Sequence, residues 1–163
     1  NNLQQGKAQA AVARVAVINS DVTAEAVEIM LDAANANNLL TGVDVAVDCL
    51  DNFSSRLQAG QAARELQIPL VHAAIAGFTG QVTTIFPGDN SLELIYKSSP
   101  QSDRGIEMVL GNPATTPAVA ASLEAQEVVK VITGIGEPLR HKLLYFDLEY
   151  NLFDVFELAR KEE

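Results

Sequence analysis

Apolar residues along this chain follow two rhythms. Between residues 5 and 18, Ala8, Ala11, Val12, Val15 and Ile18 recur at three- and four-residue spacing, which predicts a helix with one apolar stripe. Asn19-Ser20-Asp21 is a turn cluster. Residues 22–29 then set Val22, Ala24, Val27 and Ile29 against Thr23, Glu25 and Glu28, a strand pattern. Residues 32–40 predict a short helix rich in Ala and Asn, closed by Thr41-Gly42. The valine-rich run 43–50 has the length of a buried strand and is apolar on both faces, as suits a parallel sheet covered on both sides. A helix is predicted from about Phe53 to Gln67, capped by Asn52 or Ser54 and stopped by Ile68-Pro69.

Residues 70–76 predict a second buried strand, Gly77-Phe78-Thr79-Gly80 a turn, residues 81–86 a strand and residues 92–96 a further short strand. Residues 98–117 form the longest irregular stretch, of the kind that is functional or mobile in compact domains. Thr116-Pro117 reads as an N-cap with proline at the first helical position, opening a helix that carries Val119, Leu123, Val128, Val129 and Ile132 to Gly134. Residues 141–148 and 152–158 predict a hairpin joined by Glu149-Tyr150-Asn151. This order predicts an α/β fold: a Rossmann-like, partly parallel sheet that passes into antiparallel strands and ends in a C-terminal hairpin. One domain over residues 1–163 is expected.

Composition narrows the function. A 48% hydrophobic content excludes a disordered chain. The formal charge of −10 argues against nucleic acid or an anionic membrane as partner. Cys49, inside the apolar run and therefore expected to be buried, is the single cysteine, so neither an intramolecular disulfide nor a multi-cysteine zinc site can form. No apolar run approaches the roughly 18 residues of a membrane span and no signal peptide is visible, so a soluble cytoplasmic protein is expected. The chain opens on Asn1 without an initiator Met, so a longer protein is expected as its source.

The candidate chemistry gathers at the end of the run 43–50, where Asp48 and Asp51 stand before a helix. Open α/β sheets bind ligands outside the carboxyl ends of their strands, so a carboxylate pair there suits a nucleotide or a metal. The alternative is that both aspartates only cap the helix. Lys7, in a first helical turn where a cation opposes the helix dipole, reads by itself as a solvated surface lysine. His72 lies in an apolar strand and reads as a satisfied core histidine, with no second His or Cys at metal spacing. His141 reads as a surface residue, Tyr145, Phe146, Phe153 and Phe156 as hairpin core or packing rather than a cofactor box, and Asp103-Arg104 as a solvated pair. No G-x-G-x-x-G occurs, and no acid follows one, which speaks against a Rossmann-type oxidoreductase.

Asp48-Cys49-Leu50-Asp51-Asn52-x-x-x-Arg56, then Ile68-Pro69-Leu70-Val71, then Gly77-Phe78-Thr79-Gly80-Gln81-Val82 together resemble the ThiF/MoeB/HesA family, relatives of ubiquitin-activating enzymes. The resemblance continues through the helix ending at Gly134 and through Leu144-Tyr145-Phe146-Asp147. It implies ATP-dependent adenylation of the C-terminal glycine of a ubiquitin-like protein, usually a sulfur carrier that serves synthesis of molybdopterin- or thiamine-type cofactors. It also implies a homodimer. By family register Lys7, twelve residues before Asn19, contacts phosphate, and Asp51 holds a transient Mg²⁺. Asn52 and Arg56 match further cofactor-binding positions.

Three departures stand out. The Gly-rich nucleotide loop and its first β-α-β unit are absent. Asn2-Leu3-Gln4-Gln5 echoes the family's N-L-x-R-Q without its arginine. Residues 87–117 lack the zinc-binding and sulfur-carrying cysteines of many members, so no zinc site and no thioester or persulfide cysteine is expected there. The competing expectation is a non-catalytic, truncated relative that serves as a dimerisation or carrier-binding module.

Overall fold

The computed structural model describes residues 5–97 and 111–158. The expectations for Asp103-Arg104 and for most of the irregular stretch 98–117 lie outside the described residues. Two compact units, residues 1–30 and 31–163, divide the chain.

The first unit contains helix α1 (Lys7–Ile18), which opens at Gly6 without a side-chain cap and has no buried residue. Asn19 ends it in extended conformation, and its side chain accepts from Asp21 N at 2.9 Å. Residues 22–29 form no strand, contrary to their alternation. A strand needs a ladder partner for its backbone groups, and among the described residues none pairs with this segment.

In the second unit, α2 (Ala36–Leu40), β1 (Ala46–Asp48), α3 (Phe53–Glu65), β2 (Leu70–Ala76), β3 (Thr79–Ile85), α4 (Ser91–Ile95), α5 (Thr115–Thr133), β4 (Lys142–Asp147) and β5 (Leu152–Glu157) follow in order. The sheet runs β1-β2-β3-β4-β5, parallel between β1 and β2 and antiparallel thereafter. This is the expected Rossmann-like sheet passing into antiparallel strands. Alternation along β2 sends Leu70 and His72 to one face and Ala73 and Ile75 to the other. One core joins Ala46, Leu70 and Ile85 to Ala63 of α3 and Leu92 of α4. The other joins Ala73, Val82 and Phe146 to Ala120 of α5. Gly80 stands opposite Phe146 in the ladder, and a Cβ there would lie 2.2 Å from the Phe146 ring. The ring crosses the glycine and stacks on Phe153 with centroids 5.8 Å apart.

Three further expected elements are corrected. The strand expected over 43–50 shrinks to three residues, because Ala46 N already donates to Pro69 O and nothing upstream of Pro69 extends the ladder. That strand is also covered on one face only: Ala46 and Asp48 are buried while Val47 is 46% exposed. The segment 92–96 belongs to helix α4 rather than a strand, since Leu92 and Tyr96, four apart, both pack into the α3-side core. Helix α5 begins at Thr115 with Ala114 in the cap position, so Pro117 sits within the first turn, where its missing N–H costs nothing.

The buried face of α5 is Thr116, Ala120, Glu124 and Glu127, while Val129 and Ile132 are exposed. Glu127 is held there by Thr84 Oγ1 at 2.6 Å, Leu139 N at 2.7 Å and Lys130 Nζ at 2.5 Å. Gly134 closes the helix in the left-handed region at φ 68°, as expected. The hairpin forms with Asn151 at positive φ and Asp147 Oδ1 accepting from Glu149 N. Phe153 and Phe156 of the edge strand β5 are half-exposed rather than core. His141 is not a free surface residue: its Nε2 lies 3.5 Å from the buried Asp89, which Arg140 also grips at 2.8 Å.

Candidate functional site at the carboxyl end of the first strand

Two local rules shape the turn after β1. The first is the cap. Asn52 adopts extended backbone and its Oδ1 accepts from Ser55 N at 2.8 Å, so of the two expected caps, Asn52 and Ser54, Asn52 is the one used. The second is the parallel register, which sets Asp48 beside His72. Both side chains are fully buried, and His72 Nδ1 donates to Asp48 Oδ2 at 2.6 Å. Asp48 Oδ1 accepts from Leu50 N at 2.9 Å. Asp48 is therefore not a cap of α3 but the buried partner of His72, and His72 is the satisfied core histidine expected.

Asp51 follows as an exposed carboxylate directly before the α3 N-terminus, where the helix carries no acidic residue in its first turn. Its Oδ1 lies 3.5 Å from Asn52 Nδ2. Unsatisfied N–H groups and the positive end of the helix dipole favour negative charge at such a place. Arg56, one turn into α3, points back under the turn. Its Nη1 donates to Ala73 O at 2.9 Å and to Tyr96 Oη at 3.1 Å, and its Nη2 to Leu50 O. Lys7 is the first residue of α1, in the other unit.

Directly after β1, Cys49 is exposed as a residue, which corrects the expectation of a buried thiol. Its sulfur nevertheless rests 3.8 Å from Glu124 Oε2 of α5. Partial burial of the sulfur, then the carboxylates of Glu124 and Asp48, push this thiol up to about 11. It stays protonated at neutral pH and is a poor nucleophile. Glu124 is itself 5% exposed, and burial followed by the nearby Asp48 carboxylate raises it to about 7. Its Oε1 is buried without a hydrogen-bond partner. Sequence reasoning missed Glu124 and Tyr96. A charged residue in an otherwise apolar helix stretch was the one available signal for the first, and the second gave none.

No group of three or more His, Cys, Asp or Glu able to hold a metal occurs among the described residues. One exposed carboxylate suits a hard cation that arrives with a nucleotide, since Mg²⁺ takes one or two carboxylates and completes its shell with water and phosphate oxygens. By that test Asp51 fits Mg²⁺. A groove of about 370 Å³ runs along α3 between Leu57, Gly60, Arg64, Leu70, Ile85 and Leu92, and neither Asp51 nor Arg56 lines it.

The chain matches the ThiF family over residues 1–163 and belongs to that family. It is similar to the SAMP-activating enzyme E1 of Haloferax volcanii, at 35% identity over 145 residues, covering 86% of this chain and 53% of that protein. It is likewise similar to the sulfur carrier protein adenylyltransferase of Thermus thermophilus, at 36% over 148 residues, covering 86% and 55%. The chain thus spans about half the length of the curated relatives it matches. Among solved structures, E. coli MccB with AMPCPP and MccA shares the fold at a TM-score of 0.78 and 17% identity, over 96% of this chain and 49% of that one. No helix among the described residues is long and apolar enough to cross a membrane.

Proposed function

We propose that this chain carries the Asp51 part of a cytoplasmic, homodimeric enzyme that uses ATP to adenylate the C-terminal glycine of a ubiquitin-like sulfur-carrier protein, in a pathway to a sulfur-bearing cofactor. The observation that carries the proposal is the exposed Asp51 carboxylate at the carboxyl end of β1 and the N-terminus of α3, in a ThiF-family chain. The names of the Haloferax and Thermus relatives support the substrate class.

In this reading a carboxylate oxygen of the carrier terminus attacks the α-phosphorus and pyrophosphate departs. Charge develops on phosphate oxygens, so the protein contributes orientation and electrostatic complementarity rather than proton transfer. Lys7 contacts phosphate, and Asp51 holds Mg²⁺, which when bound neutralises phosphate charge. Asn52 and Arg56, also expected at the nucleotide, act in this proposal through the turn: Asn52 caps α3 and Arg56 holds the Leu50 carbonyl. Cys49 takes no covalent part, because its thiol stays protonated. The test is intact-mass analysis of candidate carriers from the same genome after incubation with ATP, Mg²⁺ and protein made from the complete coding sequence. An AMP adduct on a carrier ending in glycine supports the reading. Unchanged carriers refute it and favour a non-catalytic carrier-binding module.

A further inference from the structure

The four polar side chains packed behind Asp51 form a closed hydrogen-bonded ring. Arg56 Nη1 donates to Tyr96 Oη at 3.1 Å. The Tyr96 hydroxyl donates to His72 Nε2 at 3.1 Å. His72 Nδ1 donates to Asp48 Oδ2 at 2.6 Å, and Asp48 Oδ1 accepts from Leu50 N at 2.9 Å. The second nitrogen of Arg56 donates to Leu50 O and closes the circuit. This tautomer of His72 gives every member a partner.

Both peptide groups of one residue, Leu50, are therefore pinned, and that residue immediately precedes Asp51. Four elements contribute: β1 through Asp48, α3 through Arg56, β2 through His72, and the end of α4 through Tyr96. Asp48 and His72 are shut away from solvent, so they cannot touch a nucleotide or a carrier themselves. Buried polar groups cost stability unless each is paired, and a core hydrophobe at any of these places would avoid that demand. Packing does not require the ring, whereas a carboxylate that must meet a cation at a fixed point does.

We infer that Asp48, His72, Tyr96 and Arg56 are positioning residues whose ring fixes the Leu50–Asp51 peptide and so sets the direction of the Asp51 carboxylate toward Mg²⁺. The role given to Asp51 rests on the adenylation reading, while the ring itself rests on the hydrogen bonds alone.

Tyr96→Phe is the sharpest probe. It removes one oxygen and keeps the aromatic ring, whose edge packs on Phe53 at 5.0 Å between centroids. Two readouts are taken on protein made from the complete coding sequence: the Mg²⁺ midpoint of carrier-dependent ATP–pyrophosphate exchange, and amide hydrogen exchange at Leu50, Asp51 and Asn52 without ligand. The expected result is a folded variant whose Mg²⁺ midpoint rises roughly tenfold, as loss of a group that orients a ligand does. The Leu50 amide, which donates to Asp48, should exchange about tenfold faster, as expected for a weakened local bond. His72→Asn, which retains a donor toward Asp48, should fall between wild type and His72→Leu. Should His72→Leu fail to fold, Tyr96→Phe decides alone. A Tyr96→Phe variant with a wild-type Mg²⁺ midpoint and wild-type protection at Leu50 overturns the inference. Absence of exchange activity in the wild type refutes the adenylation reading instead, and the amide measurement then judges the ring by itself.

Discussion

Glu124→Gln should remove a loss of stability that the wild-type protein suffers as pH rises from acid to mild alkali. Glu124 is buried on α5 with Oε1 unpartnered, and burial plus the Asp48 carboxylate hold it near 7 rather than at its ordinary 4.5. Below 4.5 the carboxyl is protonated in both folded and unfolded chains, and it contributes nothing to pH dependence. Between 4.5 and about 7 the unfolded chain ionises while the native one stays protonated, so stability falls as pH rises. Above about 7 the whole penalty is present. The gap corresponds to about 3 kcal/mol, and screening at a site with some solvent access brings it to about 2 kcal/mol.

Glutamine at 124 does not ionise, so its stability should lack this limb. Burying an extra amide donor beside Cys49 adds a pH-independent cost of about 1–3 kcal/mol, so the slope and not the offset is the quantity to read. Cys49, held up to about 11, titrates above this window and does not confuse it. The assay is urea unfolding of both proteins in steps from about pH 4 to about pH 8, with the difference in unfolding free energy plotted against pH. The difference should shift in favour of the variant by about 2 kcal/mol across that range. A difference that stays flat, or moves against the variant, refutes the argument that Glu124 is ionised under strain.

Asp48→Ala should cost about 3–5 kcal/mol in thermal unfolding, because it leaves buried His72 without its partner; a loss of only about 1 kcal/mol would instead fit the capping role that the sequence alone allows. Gly80→Ala should cost about 1–3 kcal/mol, since the new methyl would meet the Phe146 ring at 2.2 Å. Near-neutral stability of that variant in urea unfolding would show that the ring moves aside freely.

Local chemistry carried the elements that the sequence displayed correctly. Asn52 caps α3 through its own side chain, Pro69 follows the end of that helix, Gly134 supplies the left-handed residue after α5, and the Glu149-Tyr150-Asn151 turn joins β4 to β5. What stayed hidden depended on partners far along the chain. Asp48 looks like a cap until the β1–β2 register brings His72 beside it. Val129 and Ile132 of α5 are exposed, while Thr84 and the Leu139 N–H give Glu127 a buried position that its charge does not announce. Residues 22–29 alternate as a strand does, but alternation supplies no neighbour to pair with. Tyr96 became visible only because α4 closed its ring against His72, with centroids 5.6 Å apart.

In the proposed function Asp51 serves adenylation through a cation and has no structural duty. Carrier-dependent ATP–pyrophosphate exchange in wild type and Asp51→Ala, both made from the complete coding sequence and both followed by thermal unfolding, tests it most directly. Loss of one electrostatic contact in the transition state typically costs about 10²–10³ in rate, and removing an exposed side chain should change stability by less than about 1 kcal/mol. Exchange in Asp51→Ala should fall by that factor while the melting curve stays unchanged. Exchange at the wild-type rate in Asp51→Ala, or a loss of exchange that comes with a loss of folding, would contradict it.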